Sequence, residues 1–165
     1  MTGTEPLRIL VPLDGSWVAE SVLDWAKNFA ERSGAHLVLF RVDLPLRASV
    51  FMATLMGNDR SDDAPGPAKE YMEGLESILC NEGASVSAEV AHAELLDRTV
   101  ADTRTLLAEC IGRVVADRIA QDDIDLAIVA SHGLTADPSV RWGGVCQAII
   151  AKSTKPVVFV PARLD

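Results

Sequence analysis

The sequence predicts an α/β fold, a parallel sheet of five strands with helices on both faces. Apolar runs of strand length alternate with segments of helical periodicity along the chain. The middle runs are apolar almost without interruption, as strands covered on both faces must be. At 165 residues, 48% apolar and 24% charged, the chain has the size and composition of one globular domain, 1–165.

Residues 7–12 (LRILVP) read as a buried first strand that ends at Pro12. Asp14-Gly15-Ser16 follows as a turn, with Ser16 placed to cap a helix. Val18, Val22, Trp25, Ala26, Phe29 and Ala30 keep helical spacing, and Gly34 closes that helix. Residues 37–42 (LVLFRV) are the second strand, so the chain opens with one right-handed strand–helix–strand unit. Residues 48–56 suit a short helix, and residues 57–67 (GNDRSDDAPGP) a flexible polar loop.

Tyr71, Leu75, Ile78 and Leu79 mark a helix that stops near Gly83. Ala84, Val86, Ala88 and Val90 alternate with polar residues, the pattern of an edge strand. Leu106, Leu107, Cys110, Ile111, Val114, Val115 and Ile119 form a long amphipathic helix. Residues 125–130 (DLAIVA) are the fourth strand, Val145, Ile149 and Ile150 a short helix, and Val157–Val160 the fifth strand.

Ligands of open α/β sheets bind beyond the carboxyl ends of the strands, where the strand order reverses. In the order 3-2-1-4-5, strands 1 and 4 meet at that point. Two loops of suitable composition then face each other: Pro12-Leu13-Asp14-Gly15-Ser16, and Ser131-His132-Gly133 continuing to Gly143-Gly144. A glycine pair at a helix start permits close backbone approach and offers N–H groups to an anion. Glycine also serves tight turns, and Asp14 has an equally local use as a turn or cap residue.

These residues resemble the universal stress protein family. The opening Ile9-Leu10-Val11-Pro12-Leu13-Asp14-Gly15-Ser16 looks like the start of that family's domain. So do residues 125–133, Gly143-Gly144-Val145 and residues 155–160 in the back half. The family's ATP-binding signature, Gly-x2-Gly-x9-Gly-Ser/Thr, reads here as Ala130-x2-Gly133-x9-Gly143-Gly144, with full spacing. The resemblance implies a Rossmann-like fold of the adenine-nucleotide α-hydrolase type. It also implies a nucleotide site at Pro12, Leu13, Asp14, Val42, Ala130, Gly133, Gly143, Gly144 and Val145. The ligand would be ATP or another adenine nucleotide, with or without Mg²⁺, and the assembly a homodimer paired through Val157–Val160.

The chain departs from the family at several points. Ala130 replaces the first signature glycine, and Gly144 replaces the hydroxyl residue. Asp137 and Pro138 stand in a loop whose only cation is Arg141, and residues 91–105 look longer than usual, with room for an added helical turn. These departures keep a second reading open, an interaction protein of the same fold that has lost nucleotide. A third, a slow nucleotide hydrolase, would need a catalytic set. His132 near Asp14 is its only candidate base, with no nucleophile or metal cluster beside it. The expectation is therefore a non-enzymatic regulatory module.

Composition bounds the partners. Fifteen basic against 24 acidic residues give a net charge of −9, which disfavours nucleic acid. No apolar run reaches the roughly 20 residues of a membrane span, and the amino terminus lacks the pattern of a signal peptide. Cys80, Cys110 and Cys146 are dispersed without zinc-ligand spacing, as expected of reduced thiols in a cytoplasmic protein. Trp142 reads as a packing residue, and Trp17 and Trp25 as core or interface.

Overall fold

The computed structural model describes residues 5–44, 67–93, 103–133 and 142–161. Five strands, β1 (Arg8–Pro12), β2 (His36–Asp43), β3 (Val86–His92), β4 (Leu126–Ala130) and β5 (Val157–Val160), form one sheet in the order β3-β2-β1-β4-β5. Every pairing is parallel, with Ile9 opposite Leu37 and Leu126, Leu37 opposite Val86, and Ala127 opposite Val157. β3 and β5 are the edges, and all four β5 residues are half-buried.

The strands' alternation divides the core in two. Ile9, Val11, Leu37, Leu39, Ile128 and Ala130 point to one face. There they pack with α1 (Trp17–Glu20), α2 (Leu23–Ser33) and α3 (Ala68–Asn81) through Ala19, Val22, Ala26 and Met72. Leu10, Val38, Phe40, Ala127 and Val129 point to the other face. They meet α4 (Thr103–Ile119) and α5 (Gly144–Lys152) through Val115, Ile119, Cys146 and Ile149. Ile9, Leu10 and Val11 of central β1 are wholly inaccessible, which accounts for the unbroken apolar run.

The first helix is two helices. Ser21 Oγ donates to Val18 O at 2.6 Å, and Val22 N–H reaches Ala19 O at 3.3 Å, so the turn tightens to i→i+3 spacing. The regular pattern resumes with Ala26 N–H to Val22 O at 2.9 Å. Gly34 then ends α2 with φ +68°. Ile78 and Ile150 also differ from expectation. Both stand on outer faces, about half exposed, because the buried stripe of α3 runs through Ala68, Met72 and Leu79 and that of α5 through Cys146, Ala148 and Ile149.

α4 and α5 lie side by side on small residues. A Cβ on Gly112 would stand 2.3 Å from Ala148 Cβ, and a Cβ on Gly144 would stand 2.9 Å from Ala108 Cβ. The matching four-residue steps, 108 to 112 and 144 to 148, mean that the two helices run parallel, as two crossovers of a parallel sheet must. At the far end of α4, Arg118 donates to the Glu89 carboxylate at 2.7 and 2.9 Å and to Asp123 at 2.8 and 2.9 Å. This double fork ties the helix to β3.

The short helix expected at 48–56, the loop at 57–67 apart from Pro67, and residues 94–102 of the 91–105 segment lie outside the described residues. So do residues 134–141, with Asp137, Pro138 and Arg141.

Candidate functional site

The site is built where β1 and β4 end. Pro12, half-buried, closes β1, and Leu13 N–H continues the pairing for one residue by donating to Phe40 O at 2.8 Å. Leu13 itself is core. The chain then turns sharply. Asp14 Oδ1 accepts Ser16 N–H at 3.0 Å and Ser16 Oγ–H at 2.6 Å, while Gly15 sits at φ +86°. Ser16 Oγ in turn accepts Ala19 N–H at 3.1 Å and caps α1. Asp14 thus has the local role its position suggested.

It also has a second contact. A Cβ on Gly133 would stand only 2.1 Å from Asp14 Oδ2, so the carboxylate lies directly against the bare backbone of the loop after β4. The two post-strand loops meet here, as the strand order requires. Ser131 and His132, between Ala130 and Gly133, are both buried. Ser131 N–H donates to Val160 O at 2.9 Å, Ser131 O accepts Gly143 N–H at 3.0 Å, and Ser131 Oγ is 3.0 Å from His132 Nδ1. The Ser131 peptide therefore positions the start of α5 at the crevice.

Gly143 is the N-cap of α5 and provides no side-chain cap. Its φ of −64° suits any residue, and a Cβ there would lie 3.6 Å from Ser131 O and 3.7 Å from His132 Cα, ordinary contact distances. Neither conformation nor close packing against these neighbours demands glycine. The N–H groups of Gly144, Val145 and Cys146 precede the first intrahelical bond, from Gln147 N–H to Gly143 O at 3.1 Å. They and the positive end of the helix dipole make an anion-attracting terminus.

Two expected site residues have other work. The Ala130 methyl is buried in the core with Leu13 and Ala19, and no residue other than glycine among those described has positive φ. The replaced glycine therefore neither strains the backbone nor turns its side chain into the crevice. Gly144 is a packing residue, since its Cα closes on Ala108. Val145 and Val42 are partly buried apolar residues on the α4–α5 side of the sheet.

Other contributions were not anticipated. Cys146 Sγ donates to Ala130 O at 2.9 Å, fastening α5 to β4. Burial pushes its thiol up to about 12, with the Asp14 charge adding to the effect. Tyr71 OH donates to Glu20 Oε1 at 2.8 Å, and the Arg41 guanidinium lies 5.0 Å from the centre of the Tyr71 ring. Burial first, and Glu20 second, hold the Tyr71 hydroxyl far above its ordinary range, so it remains a donor. No spacing within one segment could reveal this cluster, because α1, β2 and α3 each supply one member.

Trp142 packs edge-on against Phe159 at 5.1 Å, as expected. Trp17 and Trp25 are not core: they are 52% and 42% exposed, with Trp25 stacked on Phe29 at 5.5 Å. Among the described residues no group of three or more His, Cys, Asp or Glu side chains could hold a metal ion, and no helix is long and apolar enough to cross a membrane.

Sheet order and site define the class: a five-stranded parallel α/β domain of order β3-β2-β1-β4-β5, with a crevice at the β1–β4 switch point. A family model of the universal stress proteins matches residues 7–161, and the chain belongs to that family. One relative, universal stress protein MJ0577 of Methanocaldococcus jannaschii, is 24% identical over 94% of this chain and 95% of its own length. The solved MJ0577 structure superposes with a TM-score of 0.68 at 22% identity, covering 98% of this chain and all of the other. A universal stress protein crystallised with cAMP gives a TM-score of 0.61 at 17% identity, covering 97% of this chain and all of its own. One from Archaeoglobus fulgidus in complex with dAMP gives 0.57 at 20%, covering 94% and 98%.

Proposed function

We propose that this chain is a cytoplasmic regulatory module that binds an adenine nucleotide in the crevice between the Asp14 turn and the start of α5, and works by binding rather than turnover. The carrying observation is Gly143, a glycine that neither backbone conformation nor contact with Ser131 and His132 requires, placed where a bare backbone admits a ligand to the uncapped α5 terminus. At Gly133 the space of a side chain is taken by the Asp14 carboxylate, which lines the crevice there. Pro12 and Val42 offer apolar surface for a base. The bound cAMP and dAMP of the two family structures support the choice of ligand class. Mg²⁺ would arrive with a polyphosphate, whose oxygens share its coordination shell with several waters.

Titration calorimetry with AMP, cAMP and ATP tests the reading. Gly143→Val should abolish the heat while leaving the circular dichroism spectrum and melting temperature unchanged. Absence of heat for every nucleotide with the wild-type protein would refute it and leave the family's interaction-module reading. That alternative draws on the departures at Ala130, Gly144 and Asp137.

The same proposal includes a homodimer. β5 ends the sheet, only partly buried along its whole length, and antiparallel pairing with a second copy would satisfy its outer N–H and C=O groups. Light scattering should report twice the single-chain mass at tens of micromolar, and Phe159→Lys should lower it. A wild-type mass of one chain refutes the dimer.

A further inference from the structure

Resting on the strand-paired dimer of that reading, we infer that the interface has a second layer, in which α5 of one copy packs against α5 of the other across Ile150. Two isoleucines among the described residues stand half exposed, Ile150 on α5 at 50% and Ile78 on α3 at 54%. Their surroundings differ. Ile78 lies on one stripe of α3 with Tyr71 and Glu82, and those two reach across to Glu20 of α1 and Lys27 of α2. Ile150 faces away from α4, the helix beside its own. Gly144 and Ala148 turn towards α4, and Cys146 and Ile149 towards the sheet. Ile150 follows Ala148 by two positions, about 200° round the helix, and so looks outward on the side opposite α4. Arg118 and Glu89 tie α4 to β3 at one edge of the sheet, so the opposite side is the β5 edge.

The two edges are finished differently. β3 carries Glu89, held by Arg118, and ends at exposed His92. Charges of this kind discourage pairing with another strand. β5 is Val-Val-Phe-Val, with no charge. Lys155, just before it, is turned inwards, its ammonium donating to Gln121 O and Ile124 O. On α5 the flank beside Ile150 continues through Gln147, exposed but uncharged, which donates to Trp142 O. Beneath it Phe159 is only partly buried, against Trp142. Strand edge and helix flank thus form one uncharged strip on a chain of net charge −9. Groups near a two-fold axis meet their own copies, so charges there would repel, and an uncharged strip is the part of an acidic surface that fits a second copy. Antiparallel pairing of β5 uses an axis perpendicular to the sheet, which keeps α5 and its copy on the same face. Strands pair about 4.8 Å apart, so the axis passes about 2.4 Å from β5. α5 packs on both β4 and β5, through Ala130 O and through Val157 and Phe159. It therefore lies roughly 5 Å from the axis and roughly 10 Å from its copy, the spacing of helices in contact.

The experiment reads the dimer dissociation constant of the full chain by sedimentation equilibrium over a dilution series. Ile150→Asp should raise it about tenfold or more, and Ile78→Asp should leave it unchanged. Proximity is read separately with a short bismaleimide, in a Cys80→Ser background that removes the exposed thiol. Ile150→Cys should give a covalently linked pair of chains, and Ile78→Cys should not. Equal constants for the two aspartate variants overturn the helix layer and leave the strand-paired dimer standing, as does the lack of a linked pair from dimeric Ile150→Cys. A wild-type chain that stays a monomer throughout the series overturns the dimer itself, and the helix layer with it.

Discussion

Gly112 and Gly74 form a matched pair of perturbations. Both lie inside helices, Gly112 buried in α4 and Gly74 exposed in α3. Replacing either with alanine contributes about 0.8–1 kcal/mol of helix propensity. At Gly74 an added Cβ meets nothing within 4 Å, so Gly74→Ala should stabilise the fold by about that amount. At Gly112 the new methyl would lie 2.3 Å from Ala148 Cβ. Carbon contacts relax only near 3.5–4.0 Å, so one helix must move by more than about 1 Å. Neither atom can rotate away, because each Cβ is fixed to its own helix backbone. Overpacking of this kind costs about 1–3 kcal/mol, and rigidity on both sides places this case at the upper end. Less the propensity gain, Gly112→Ala should destabilise by about 2 kcal/mol. For a chain of this length that is a fall of roughly 4–8 °C in melting temperature, against a rise of about 2–4 °C for Gly74→Ala. Urea unfolding followed by far-ultraviolet circular dichroism reads both, provided the slope with denaturant is unchanged. Equal stabilisation by the two substitutions would refute the tight α4–α5 contact.

Three further outcomes are expected. Gly133→Ala should destabilise by about 1–2 kcal/mol, because its methyl displaces an Asp14 carboxylate held by two Ser16 hydrogen bonds; wild-type denaturant stability would contradict that contact. A thiol reagent at mildly alkaline pH should modify exposed Cys80 at once and Cys146 only on unfolding, since burial holds the Cys146 thiol protonated at about 12; mass spectrometry of labelled peptides reads the order. The Arg118 hydrogen bonds hold the Asp123 carboxyl below its ordinary value, so its contribution is present at neutral pH and is lost as pH falls through the folded-state value, below about 4. Asp123→Asn should flatten the acid limb of the stability–pH curve, and an unchanged limb would show that this pair does not contribute.

Sequence patterning was most informative where neighbours along the chain decide the structure. The strand runs, the Ser16 cap and the Gly34 stop depend on a few adjacent residues, and each is where periodicity places it. The break at Ser21 is local too, but a serine there fits a continuous helix equally well until its hydroxyl is seen to donate to Val18 O. Site residues divide in the same way. Asp14 and Gly133 meet because strand order brings two loops together; alternation of elements indicated a parallel sheet, while its order was an assumption of the sequence reading. The roles of Ala130 and Gly144 were not legible: one depends on which core absorbs a methyl, the other on a helix partner distant in the chain. Gly112 looked only like a weak point in a helix, because Ala148, the residue that requires it, belongs to a different element.

The distribution of the three tryptophans gives the molecule a usable optical probe. Trp17 and Trp25 are open to solvent, whereas Trp142 is half-buried against Phe159 and immediately precedes the N-cap of α5. Iodide or acrylamide should therefore quench the emission in two populations, with the protected one originating at the mouth of the crevice. Replacing Trp17 and Trp25 with phenylalanine would leave a single fluorophore beside Gly143. Ligand arrival at the start of α5 could then be timed by stopped flow on unlabelled protein, separating the rate of entry from the affinity that calorimetry measures.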